Sequence, residues 1–110
     1  MSRRQEKINE LLMQLAATFF RDHSGSQSLI TITRASVSPD LTRATVYLTV
    51  LPESEETRAL AFAKRQRSDL REYIKKHTDF RRLPFIDIEI DLGEKNRQHI
   101  DELSHRDTIK

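Results

Sequence analysis

The feature that most limits how this chain can fold is a pair of β-patterned runs separated by four turn-forming residues. In the second run Ala44, Val46, Leu48 and Val50 alternate with Thr45, Tyr47 and Thr49, the period-two pattern of a strand with one buried face. Ser38-Pro39-Asp40-Leu41 precedes it; proline presets a turn-compatible φ, and serine and aspartate side chains bond nearby backbone. The first run, residues 29–37, slips phase, because Ile30 and Ile32 share one parity and Ala35 and Val37 the other. A β-bulge near Arg34 restores a common face. A hairpin follows, its second strand running from about Arg43 to Leu51 and ended by Pro52, which has no N–H to give a ladder.

The flanks read as helices. Ile8, Leu11, Leu12, Leu15, Ala16 and Phe19 form an apolar stripe over residues 3–20, with Ser2 as a candidate cap. The polar residues 23–28 make a loop. Ser54, ahead of Glu55 and Glu56, is placed at the start of a second helix. Its apolar stripe lapses over Lys64-Arg65-Gln66-Arg67-Ser68-Asp69, so a break is expected there, with Ser68 capping a third helix that runs to about His77. Phe85-Ile86-Asp87-Ile88-Glu89-Ile90-Asp91 alternates as a third strand with its isoleucines inward. Leu92-Gly93 ends it, a short helix over 94–104 is expected, and residues 105–110 form a frayed tail. The order is α-β-β-α-α-β, an α+β domain with a three-stranded sheet and helices on one face.

With 110 residues, the chain fits one domain over 1–110. It has no cysteine, so disulfides and thiolate metal sites are excluded, in keeping with a reducing cytoplasm. No apolar run approaches a membrane span and the N-terminus does not read as a secretory signal, so a cytoplasmic protein with no membrane partner is expected. The charge is unevenly placed. Residues 58–82 hold nine Lys/Arg and three acids, net +6, whereas residues 83–107 hold three bases and seven acids, net −4. An anionic partner feels that polarity more than the overall +2.

The basic block centres on the expected helix break. Arg67, Arg71 and Lys75 step by four and share a helical face; Lys64, Arg65 and Lys76 flank them, and Arg81 and Arg82 lie in the following loop. Arg3, Arg4 and Lys7 extend the cationic surface from the first helix, and Arg43, with Arg34, sits at the hairpin. Such groups bind phosphate without reading sequence. Tyr47 is expected to pack beneath a covering element, and Phe19, Phe20, Phe62, Phe80 and Phe85 to lie in the core or at its edge. Asp87, Glu89 and Asp91 share a strand face, but a hard-cation site needs oxygens converging on one point, and a solvated face is the simpler reading. No histidine spacing, nucleophile triad or glycine-rich phosphate loop appears, so neither a catalytic site, a metal nor a cofactor is expected.

The element order is that of a type II KH domain, and the local residues resemble the ribosome-binding factor A family. The matching positions are Val37 through Leu48, Leu70-Arg71, Phe80-Arg81-Arg82-Leu83-Pro84 and the isoleucine-rich strand ending at Asp91. The resemblance implies a non-catalytic monomer that binds 16S ribosomal RNA in immature small subunits and assists their maturation, including rRNA processing and cold adaptation. Two departures stand out. KH domains place Gly-x-x-Gly between two helices and this family an Ala-x-Gly kink, whereas this chain has Gln66-Arg67-Ser68; that implies phosphate contact through side chains. After the first helix the family's Asp-Pro-Arg is replaced by Ser24-Gly25-Ser26-Gln27-Ser28. The alternatives are a protein–protein adaptor docking through the acidic third strand and the terminal helix and, more remotely, a metal-dependent nuclease using Asp87, Glu89 and Asp91.

Overall fold

The computed structural model describes residues 3–23, 28–80 and 82–98. Helix α1 (Arg3–His23) leads to strands β1 (Leu29–Val37) and β2 (Arg43–Leu51). A 3-10 turn at Glu53–Glu55 precedes α2 (Glu56–Arg65), α3 (Arg67–Lys76) and β3 (Phe85–Ile90), and residues 92–98 are helical. The sheet order is β1-β2-β3, with β1 antiparallel and β3 parallel to β2. This is the expected α+β architecture. The cap expected at Ser2, the loop residues 24–27 and the tail lie outside the described residues. Among the described residues no helix is long and apolar enough to cross a membrane.

One face of the sheet makes the core. Ala35, Val37, Ala44, Val46, Leu48, Val50, Ile86 and Ile88 are buried, and Leu12, Ala16, Phe19 and Phe20 of α1, Ala59 and Ala63 of α2, and Leu70 and Ile74 of α3 cover them. Each large apolar side chain removed from water in this way contributes about 1.5–3 kcal/mol. Phe85 corrects the sequence reading: its neighbours Ile86 and Ile88 face the helices, so alternation turns Phe85 to the open face, where it is 62% exposed.

The bulge occurs where the phase slip demanded it. Ile32 pairs with Leu48 and Arg34 with Tyr47, leaving Thr33 as the extra residue. At the hairpin tip the Leu41 N–H donates to the Ser38 carbonyl at 2.9 Å, closing a β-turn with Leu41 at φ 60°. A leucine there costs about 1–2 kcal/mol, offset in part by packing its side chain on the core.

The helix starts differ from expectation in two places. Ser54 lies inside the 3-10 turn and the α2 cap position is Glu55; Ser68 lies inside α3, whose cap position is Gln66, and neither cap makes a side-chain bond. The chain needs no serine because Gln66 itself makes the corner. It ends α2 by donating its N–H to the Ala63 carbonyl at 3.0 Å and starts α3 by accepting from Leu70 N–H at 2.8 Å. Leu92-Gly93, expected to break the chain after β3, instead begins the last helical segment. Asp91 is its cap: Oδ1 accepts from Glu94 N–H at 3.0 Å and its carbonyl from Lys95 N–H at 3.0 Å.

Candidate nucleic-acid interface

The α2–α3 corner is a one-residue break with negative φ. Gln66 sits at φ −88°, ψ 3°, a conformation open to any residue, so this corner requires no glycine. Its consequence is chemical: side chains occupy the position where a glycine would expose backbone. Lys64 and Arg65 close α2 and both are exposed. They form no ion pair among the described residues.

Arg67 opens α3 and is tied to the sheet. Its Nη1 lies 3.3 Å from Asp87 Oδ1 and its Nε donates to the Lys64 carbonyl at 3.1 Å. The two charged side chains are 42% and 38% exposed, a setting in which an ion pair contributes about 0–1 kcal/mol. Phosphate oxygens can therefore compete for this guanidinium. Arg71, one turn on, reaches the Leu83 carbonyl at 3.5 Å and remains exposed. Lys75 is exposed on the same flank. Lys76, also exposed, is nine residues after Arg67, which at about 100° per residue places it on the opposite side of α3. The expected flanking role of Lys76 thus belongs to another surface.

The remaining basic residues gather at the hairpin end. Asn9 Oδ1 accepts from Val37 N–H at 2.8 Å, pinning the start of α1 beside the turn. That contact brings Arg3, Arg4 and Lys7 together with Arg82 around a groove of about 800 Å³. Arg43, exposed, starts β2 at the same end. Arg81 lies outside the described residues.

Asp40 stands in the groove wall. Its Oδ1 accepts from Ser38 Oγ at 2.6 Å, Thr42 Oγ1 at 2.7 Å and Thr42 N–H at 3.1 Å. These donors, Ser38 first, hold its pKa at about 2.

The open face of the sheet carries a second polar cluster. The Arg34 guanidinium lies 3.8 Å over the Tyr47 ring and its Nε donates to Asp91 Oδ2 at 3.2 Å. The Thr33 hydroxyl donates to the same oxygen at 2.6 Å. Burial acts to raise the Asp91 pKa, but the Thr33, Glu94 and Arg34 donors outweigh it and hold the carboxyl below its usual range. The covering element expected over Tyr47 is thus a guanidinium. Asp87, Glu89 and Asp91 do not converge: Asp87 faces Arg67, Asp91 faces Arg34, and among the described residues no group of three acid or histidine ligands forms. The three carboxylates named for the nuclease alternative thus share no point at which they could hold an ion together.

The family model for ribosome-binding factor A matches residues 3–104. The chain belongs to that family. The crystal structure of ribosome-binding factor A from Thermus thermophilus superposes with a TM-score of 0.68 at 21% identity, over 76% of this chain and 92% of that one. A homology model of the Thermus thermophilus factor, fitted into the cryo-electron-microscopy map of its complex with the 30S subunit, gives 0.63 at 20% identity, over 80% and 91%. The solution structure of a Thermotoga maritima protein considered a ribosome binding factor A gives 0.55 at 23% identity, over 76% and 79%. At these identities the structures speak for the fold. Sequence reading overlooked the ties of Arg67, Arg71 and Arg34, because each joins residues far apart in the chain.

Proposed function

We propose that this chain is a non-catalytic assembly factor of the small ribosomal subunit, binding 16S ribosomal RNA on immature particles and assisting their maturation in the cytoplasm. The observation that carries this reading is the α2–α3 corner. There Lys64, Arg65 and Lys75 stand exposed without ion pairs among the described residues, beside Arg67 and Arg71, which are held in place by weak, exchangeable partners. The array has the form of a phosphate-positioning surface: contacts fix orientation on RNA and leave sequence unread. Family membership, together with the Thermus factor's complex with the 30S subunit, supports the choice of the small subunit as target. The protein acts as a monomer on this reading, holding RNA until it has folded and then leaving.

Co-sedimentation of the full chain with precursor and mature small subunits tests it. Precursor particles are expected to retain the protein, mature ones to retain less, and raised salt to release it. Reversing Lys64, Arg65 and Arg71 to glutamate is expected to abolish retention. Full retention by that variant would contradict the assignment of the corner as the RNA surface.

A further inference from the structure

Of the corner cations Lys64, Arg65, Arg67, Arg71 and Lys75, Arg67 alone is ion-paired among the described residues. Its partner comes from the sheet. Asp87 alternates with Ile86 and Ile88, so it points away from the helices. β3 is the outer strand of the sheet, and Arg67 meets the carboxylate round that edge. The acids of α3 itself lie elsewhere: at about 100° per residue, Asp69 and Glu72 fall about 160° and 140° round the helix from Arg67.

Asp87 is held more firmly than the arginine it faces. Its Oδ1 accepts from Ile88 N–H at 2.8 Å, and its backbone is in register with Thr45 of β2. Arg67 Nη1 stands 3.3 Å from the same oxygen, and Nε donates to the Lys64 carbonyl at 3.1 Å. A phosphate clasped by two parallel N–H bonds uses either the Nη1–Nη2 end of a guanidinium or its Nε–Nη2 side. Each of those edges already has one nitrogen engaged. When the guanidinium turns to RNA, the Ile88 N–H keeps the carboxylate on the strand, beside the arriving phosphates. Asp87 therefore offsets the Arg67 charge before binding and repels the ligand afterwards, and both effects act in the same direction.

We infer that Asp87 sets the affinity of the corner: it is a fixed counter-charge that weakens the grip on phosphate and so lets the factor leave its RNA. This inference rests on the corner being the RNA surface, and it concerns release rather than capture. Asp87→Asn separates charge from structure, because the amide oxygen still accepts from Ile88 N–H and from Arg67. Asp87→Thr gives a second neutral variant, with a residue suited to a strand.

Filter binding of the full chain to labelled 16S ribosomal RNA, over a series of salt concentrations, tests it. Both neutral variants are expected to bind about three- to five-fold more tightly than the parent at low salt, the scale of one exposed ion pair. Their slopes of log K against log salt are expected to steepen by about 0.7, as one more uncompensated cation meets a phosphate. Asp87→Glu keeps the charge and is expected to stay within about two-fold of the parent. Asp22→Asn neutralises the acid of another exposed ion pair, Arg21 with Asp22, and is expected to stay there too. The absence of a gain in a neutral variant whose circular dichroism matches the parent's overturns the inference. So does an equal gain in Asp87→Glu or Asp22→Asn. The two readings fail separately. Full retention of the Lys64, Arg65 and Arg71 variant on precursor subunits counts against the corner as the RNA surface. Lost retention there, with no gain from neutralising Asp87, counts against the counter-charge alone.

Discussion

Two carboxylates show how the residue scale controls the fold. Asp40 is exposed yet holds three donors, and its pKa falls from 3.8 to about 2. A carboxyl depressed on folding adds stability above its unfolded pKa and loses it as pH falls through the folded one. Asp40→Ala is therefore expected to lower the thermal midpoint at neutral pH, with the gap to the parent closing between pH 3.8 and about 2. Melts across that range check it, and a gap independent of pH would show the turn to be held otherwise. Asp91 is buried at 4% exposure and caps the helical segment over residues 92–98 while binding Thr33 and Arg34. Losing a cap and a buried acceptor costs about 1–2 kcal/mol. Asp91→Ala is expected to show that loss in urea unfolding, and helicity should fall with it.

At the scale of elements, α2 lies against the sheet through Ala59 and Ala63, which are 4% and 0% exposed. Small side chains set that helix–sheet distance. Ala63→Leu adds volume where there is none to receive it and is expected to cost about 1–3 kcal/mol in denaturant unfolding. Ala61→Leu, on the exposed side of the same helix, is expected to cost far less. The corner between α2 and α3 depends on a single residue, Gln66, whose backbone serves both helices. Because its φ is negative, Gln66→Gly is expected to loosen the corner without relieving strain, destabilising by about 0.5–1 kcal/mol. An increase in stability on that change would mean the corner is strained after all.

For the whole molecule the governing quantity is where positive charge accumulates. The corner and the groove sit on different parts of the surface, joined through α3, whose Arg71 reaches the Leu83 carbonyl in the loop that leads to the groove. Binding through many phosphate contacts makes log K fall linearly with log salt, by about 0.7–0.9 per contact. Removing Lys64 and Arg65 together is expected to make that slope shallower by about 1.5. A salt titration of small-subunit RNA binding by parent and variant measures the difference. Equal slopes would remove those two side chains from the interface.

The local pattern of residues was enough for the element order, the strand pairing in the hairpin and the bulge. Alternation of Ala44 to Val50 and the parity slip around Arg34 leave only one way to bury a common face. The basic character of the break near Gln66 was legible for the same reason: an apolar stripe cannot continue through six polar residues. Tertiary structure alone decided the rest. Helix caps were misread at Ser54 and Ser68 because a backbone carbonyl or a 3-10 turn can take over a hydroxyl's task. Phe85 was assigned to the core or its edge from its type, whereas the parity of Ile86 and Ile88 sends it outward. Which cations are held and which are free depends on pairs such as Arg67 with Asp87 and Arg34 with Asp91, separated by 20 and 57 residues. Local periodicity reports which side of an element meets the core, and carries no information about which distant side chain it meets there.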